Sequence, residues 1–298
     1  TRELASSLEL SLLTDIESPY LEDPRRHLYL KTATGQVSLA ERFSIEKFAS
    51  RFRPGVVVTV SPLGSVLNEV YLIAAGDERL VAKKYTDWHS FKWFTLGLVS
   101  LGTRLFSVSG KARLENEYAV NRFLSRRGVR VPEILNVSVP DRVLVQRYIE
   151  GSSLVELVKE AVSSKSMSEQ SLAVASKVGS TLAKIHDSGV ALGDTKPENF
   201  QRGSDDEVYS LDLEQAGKSG DKAWDVAEFL YYSGHYAFPS IPSGGFKEYV
   251  NAFIQGYQKQ GDEKILKAAA GVKYSRVFSL WTPPLATHEI SKALRSPS

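Results

Sequence analysis

Leu192-Gly193-Asp194-Thr195-Lys196-Pro197-Glu198-Asn199 and, twelve residues on, Leu211-Asp212-Leu213-Glu214 form the stretch on which the fold is decided. Three oxygen-bearing residues, Asp194, Asn199 and Asp212, flank one lysine, Lys196. The intervening segment, Phe200 to Leu211, carries the polar run Gly203-Ser204-Asp205-Asp206-Glu207 between two short stretches and reads as strand, polar turn and strand. A hairpin there returns Asn199 and Asp212 to one end, close enough to share a hard cation. Mg²⁺ takes a few protein oxygens and completes its shell with other oxygen ligands, so the donor types suit it.

Working outward, the preceding residues Ser168 to Asp187 have helical spacing, and His186 reads as a structural residue just ahead of the loop. Ser153 to Val162 is a second helix. Beyond Glu214, Ala223-Trp224-Asp225-Val226-Ala227 opens another, and Phe246–Tyr257 and Glu263–Leu280 are helical too. Upstream, five strands are expected: Val56–Val60, Asn68–Ala74, Leu80–Tyr85, Val131–Val139 and Arg142–Ile149. One helix, Arg113 to Arg126, interrupts them and is stopped by Gly128. The composition changes from strand-rich to helical near residue 150.

This ordered set resembles the protein-kinase superfamily. Asp-x-Lys-Pro-Glu-Asn is close to the catalytic loop of serine/threonine kinases, and Asp212 follows Asp194 at the family's spacing. The resemblance covers roughly residues 56–235. It implies an α+β, bilobal protein-kinase-like fold, with a small antiparallel-sheet N-lobe at 56–149 and a mainly helical C-lobe at 150–298. An N-terminal extension occupies 1–55, with a helical opening over Leu4–Ile16, a hairpin turning near Thr34-Gly35 and a helix over Ser44–Phe52. The extension is either a recognition module or padding on the first lobe; padding is favoured, since nothing in it carries chemistry.

The resemblance also implies ATP and Mg²⁺ as cofactors and gives each residue a role. Asp194 accepts the hydroxyl proton, Lys196 offsets charge on the transferring phosphoryl group, and Asn199 with Asp212 holds the metal. The turn Ser61–Leu67 stands where kinases have a glycine-rich lid, so Gly64, Ser65 and the Val66 backbone would meet phosphates. Val70 and Ala82 would pack near adenine. Leu80-Val81-Ala82-Lys83-Lys84 matches Val-Ala-x-Lys with Lys84 in the phosphate-holding place, and alternation then puts Ala82 and Lys84 on one face. Glu117 is the expected partner of that lysine, with Glu115 as the competing choice. Backbone groups near Arg147 and Ile149 look like the hinge at the adenine edge. Asp225 matches the buried aspartate that tethers the catalytic loop by hydrogen bonds to backbone.

Four departures narrow the subfamily. The lid keeps one glycine. Leu192-Gly193-Asp194 replaces His-Arg-Asp, Asp212-Leu213-Glu214 replaces Asp-Phe-Gly, and the short activation segment lacks Ala-Pro-Glu. Control by phosphorylating that loop has few parts to work with. These departures resemble atypical kinases, the RIO family and the kinase subunit of the KEOPS tRNA-modification complex. Aminoglycoside phosphotransferases and sugar kinases share the Gly-Asp pair, whereas Lys196 favours protein acceptors. The expectation is an archaeal-looking atypical serine/threonine kinase that also phosphorylates itself. A small-molecule phosphotransferase and an ATPase switch or scaffold in a KEOPS-like complex remain the alternatives.

Composition sets the remaining bounds. The chain has 298 residues, a formal net charge of +2, 24% charged residues and no cysteine. Near-neutral charge gives no reason to expect nucleic acid as a partner. The absence of cysteine excludes disulfides and thiolate metal sites, and fits a cytoplasmic protein. The start, Thr1-Arg2-Glu3-Leu4, shows no apolar signal region, which argues against secretion. Trp88 to Leu114 has no acidic residue and many aromatics, but Lys92, Gly97 and Gly102 interrupt it, so a membrane span is not expected. That stretch is read as an insertion packed over the first lobe, with docking of a partner on 88–114 as the sharper alternative.

Overall fold

The structure is a computed structural model, and it describes residues 29–33, 35–38, 44, 47–48, 54–63, 68–86, 109–237 and 243–296. The helix expected over Leu4–Ile16, the lid residues Gly64, Ser65 and Val66, and most of the 88–114 stretch lie outside the described residues. So does most of the helix expected over Ser44–Phe52; Lys47 and Phe48 are helical.

Short alternating stretches build a five-stranded antiparallel sheet in the order β3-β4-β5-β7-β6. Its strands are β3 (Val58–Pro62), β4 (Glu69–Ala75), β5 (Glu78–Lys84), β6 (Ile134–Ser138) and β7 (Val143–Arg147). Side chains of period two divide over two faces. One face gathers Ile73, Leu80, Ala82, Leu135, Val143 and Val145 around Phe48. The other gathers Tyr85, Ile134, Val137 and Leu144 under Leu114 and Tyr118 of helix α1 (Gly110–Arg126). A bulge between Ile134 and Asn136 shifts the β6 register, so Ile134 and Val137 share a face although they are three residues apart. Each buried Leu, Ile or Val here contributes roughly 1.5–3 kcal/mol. Ahead of the sheet, β1 (Tyr29–Thr32) and β2 (Gly35–Ser38) form the expected hairpin, and the Ala33 N–H donates to Ile134 O at 3.1 Å.

The second compact unit holds residues 124–131 and everything described from Ile149 onward. It begins with a small sheet in the order β10-β9-β8, comprising β8 (Gly151–Ser153), β9 (Phe200–Gly203) and β10 (Val208–Ser210). Its helices are α2 (Leu154–Ser163), α3 (Glu169–Asp187), α4 (Lys222–His235), α5 (Gly244–Gln258), α6 (Glu263–Ala269), α7 (Val272–Phe278) and α8 (Pro284–Arg295). Two glycines let α3 and α5 touch backbone to backbone. A Cβ on Gly179 would stand 2.0 Å from Phe253 O, and one on Gly256 1.9 Å from Ser176 O. Helix α4 is buried along most of its length, and its Phe229 stacks on Phe253 at 4.9 Å.

The division expected from sequence is therefore present: α+β, an antiparallel-sheet unit followed by a mainly helical one, as in the protein-kinase-like fold. The helical stretch expected over Glu263–Leu280 is two helices, with Ala270 at the C-cap of α6 and Gly271 at the N-cap of α7. Among the described residues, no helix is long and apolar enough to cross a membrane.

Candidate active site

In the sheet unit the strand lysine that meets α1 is Lys83. Its Nζ donates to Glu117 Oε1 at 2.7 Å, and both side chains are buried. The Tyr85 hydroxyl donates to the other oxygen, Oε2, at 2.5 Å. Glu117 rather than Glu115 is thus the helix acid in the pair. Lys84, expected in that place, is exposed and pairs with Glu69 directly across on β4 at 3.0 Å. The physical reason is register: Lys83 shares the α1-facing side with Tyr85 and its β7 partner Leu144. Aligning the motif one residue too far turns every side chain to the other face.

The same correction moves Ala82. It is packed in the core on the face away from α1, while Val81, two residues before Lys83, shares the lysine's face. Val70 lies opposite Lys83 across the β4–β5 ladder and Leu72 opposite Val81; Val70, Leu72 and Val81 are half-buried. Gln146, the β7 partner of Val81, is 4% exposed, and its Oε1 has no hydrogen-bond partner. That buried amide was not singled out by sequence, since a glutamine in a strand ordinarily reads as a solvated position.

The two hinge residues fare differently. The Arg147 N–H is spent on Glu133 O at 2.9 Å, and its guanidinium is held by Glu78 and Glu133. It is a sheet residue, with its backbone N–H not left for a ligand's edge. The Ile149 carbonyl accepts from Gln201 Nε2 at 2.6 Å.

In the helical unit the loop before β9 is fixed by α4. Helix α4 begins where Asp221 accepts from the N–H groups of Ala223 and Trp224. Asp225, fully buried, then accepts from Leu192 N at 2.5 Å and Gly193 N at 2.7 Å, as the resemblance implies. His186 Nε2 lies 3.0 Å from the same carboxylate, and its Nδ1 2.7 Å from the Tyr257 hydroxyl. Gly193 has φ +77°, a left-handed conformation that an arginine would adopt only with strain. The Gly-Asp pair is therefore a backbone requirement of this loop.

Beyond Gly193, Asp194 Oδ1 is 3.0 Å from Lys196 Nζ, which also donates to Oδ2 at 3.3 Å. Oδ1 itself accepts no well-directed hydrogen bond. Burial pushes the Asp194 carboxyl up; Lys196 opposes this, and the nearby Asp212 charge adds to it. Lys196 is held above the usual ammonium range by the Asp194 and Glu228 carboxylates, against the opposing effect of burial. Its Nζ also lies 5.8 Å from the Tyr232 ring centroid.

The predicted hairpin forms. Phe200 pairs with Ser210, and Leu211 N donates to Asn199 O at 2.9 Å, closing the end from which Asp212 continues. Asn199 Nδ2 donates to Asp194 O at 3.0 Å, which leaves its Oδ1 as the atom to offer a cation. Asp194, Lys196, Asn199 and Asp212 thus all belong to one neighbourhood.

Sequence reasoning missed Glu228 and Tyr232. With Asp225 they follow helical spacings of three and four, so all three lie on one face of α4. Glu228 accepts from Thr195 N at 2.7 Å, and Tyr232 stands over Lys196. The available signal was an acid in the otherwise apolar run Val226–Leu230, one turn after Asp225.

No family model matches the chain. It is 31% identical over 113 residues to the KEOPS complex subunit Bud32 of Pyrococcus abyssi, covering 37% of this chain and 49% of that protein. It is 25% identical over 200 residues to a probable bifunctional tRNA threonylcarbamoyladenosine biosynthesis protein of Methanococcus vannielii, covering 66% of this chain and 34% of that protein. The chain thus spans about half the length of the first relative and about a third of the second. A solved complex of Rv3197 with erythromycin, from Mycobacterium tuberculosis, has a TM-score of 0.36 and 16% identity, over 56% of this chain and 48% of that one. In sequence, the chain is similar to the RIO/Bud32 group of atypical protein-kinase-like proteins.

Proposed function

We propose that the chain is an ATP-dependent phosphotransferase of the atypical kinase kind, with Ser or Thr hydroxyls of proteins, its own included, as acceptors. Residues 56–149 and 150–298 would serve as its two lobes. The observation that supports this best is the Asp194–Lys196 pair, on a loop whose backbone is held by Asp225. A carboxylate with an under-used oxygen beside a fixed cation suits removal of a hydroxyl proton next to a phosphoryl group.

Lys83, held by Glu117, would grip the α- and β-phosphates. Half-buried Val70 and Val81 suit the apolar faces of a base, with the Ile149 backbone at its edge. Asn199 Oδ1 and the Asp212 carboxylate would hold Mg²⁺; two hard oxygens completed by phosphates are a fitting donor set. When bound, the ion offsets phosphate charge. Asp194 accepts the proton as the acceptor oxygen bonds to the γ-phosphorus and the bond to the β-phosphate oxygen of ADP breaks. Lys196 offsets the charge on the transferring group.

A second reading is favoured by the relatives' names, one a KEOPS complex subunit and the other a tRNA threonylcarbamoyladenosine biosynthesis protein: an ATPase switch or subunit within such an assembly. The two separate when protein is incubated with γ-labelled ATP and Mg²⁺, alone and with a generic basic protein. Label on Ser or Thr, absent in Asp194→Ala, supports the kinase reading. ATP hydrolysis with no label on protein overturns it in favour of the switch, and label on an added sugar or antibiotic overturns it in favour of a small-molecule acceptor.

A further inference from the structure

Helix α4 carries a buried acid that the proposed transfer does not use. Glu228 is 4% exposed, and donors converge on its Oε2: Thr195 N at 2.7 Å and Trp224 Nε1 at 3.2 Å. Thr195 Oγ1 is 3.1 Å from the same oxygen and 2.7 Å from Asp225 O. A threonine hydroxyl carries one proton. The shorter contact, to a carbonyl that can only accept, takes it. The longer contact sets Glu228 Oε2 beside the same hydroxyl as a second acceptor sharing its proton. The charged and titratable groups facing Glu228 are Asp194, Lys196, Asp225 and Tyr232. Burial, followed by the Asp194 charge, pushes the Glu228 carboxyl up to about 8.

We propose that Glu228 is a positioning residue that locks Thr195 by backbone and hydroxyl together and so fixes the direction of Asp194 and Lys196. Thr195 is the residue between those two, so its peptide groups set where both side chains start. Asp225 holds the loop before Asp194, and Glu228 holds it after. Trp224 Nε1 braces the clamp from the same helix. The inference rests on the proposed phosphotransfer for its kinetic consequence alone; the clamp is a property of the free chain.

The test compares Glu228→Met, of similar volume but without the acid, with Glu228→Gln, whose amide oxygen in the place of Oε2 can still accept from Thr195 N and Oγ1. Amide hydrogen exchange over 193–196 reads the clamp without turnover. It should speed up by about tenfold or more in Glu228→Met, and stay near wild type in Glu228→Gln. With turnover measured on γ-labelled ATP, Glu228→Met should lose about a hundredfold in kcat with KM for ATP little changed, and Glu228→Gln should restore most of it. If Glu228→Met does not fold, Thr195→Val supplies the same loss of the hydroxyl bond. Unchanged exchange in Glu228→Met or Thr195→Val overturns the clamp, as does a Gln variant as impaired as Met. A wild-type chain that turns over no ATP sinks the phosphotransfer reading, while the exchange result still decides the clamp.

Discussion

Lys83 donates to Glu117 at 2.7 Å inside the sheet unit, while the adjacent Lys84 sits at the surface beside Glu69. The two lysines therefore have opposite expectations. Lys83→Met should weaken ATP binding by about tenfold or more, the loss of a charge-assisted contact. Lys84→Met should change it by no more than about twofold, since exposed pairs contribute about 0–1 kcal/mol. Titration with a fluorescent ATP analogue checks both, with circular dichroism to confirm folding.

Tyr85 gives the pair a second anchor through its bond to Glu117 Oε2. Tyr85→Phe keeps the ring and removes the donor, leaving a buried carboxylate oxygen short of one partner. We expect a loss of about 1–3 kcal/mol, read from urea denaturation with an unchanged m-value.

Asp225 binds two backbone N–H groups and His186 at once. Asp225→Ala strands all three and should cost about 3–5 kcal/mol, as for a broken buried pair. Asp206, whose ion pair with Arg202 is at the surface, provides the contrast. Asp206→Ala should stay within about 1 kcal/mol. Thermal denaturation of the two variants side by side measures the difference.

Glu228 also predicts a pH dependence. Its folded carboxyl titrates at about 8, against an ordinary value of 4.5. Between those values the folded chain binds more protons than the unfolded one, so stability falls as pH rises. This contribution is fully present below 4.5 and is lost by about 8, and on this shift it is at most a few kcal/mol. Glu228→Gln removes it, so the melting temperature of the variant should gain on wild type from pH 5 to pH 8.

The fold was legible in the sequence where local chemistry and tertiary need agree. Asn199 and Asp212 flank a strand–turn–strand pattern, and the hairpin that joins them follows from the polar turn residues between two short strand-like stretches. The Asp225 tether was readable only through the resemblance, by its match to the aspartate that opens the corresponding long helix. Lys83 was not, because Ala82 and Lys83 are both buried and alternation cannot choose a face on a strand covered from two sides. Only α1 makes the choice, by presenting Glu117. Glu228 was hidden for a related reason: one acid on a helix ordinarily reads as solvated, and its nearest donor, Thr195 N, comes from a loop 33 residues away. Arg147 looked like a hinge contact, yet its N–H is spent within the sheet unit on Glu133 O, a pairing that local pattern does not reveal.

The most direct measurement of the central claim is the rate at which the γ-phosphate leaves ATP, to protein or to water, for the wild type beside Asp194→Asn and Asp212→Asn. Turnover that depends on Mg²⁺ and falls by about a hundredfold or more in both variants is the predicted result. Turnover that survives either substitution, or a wild-type chain that neither binds nor turns over ATP, would contradict the account.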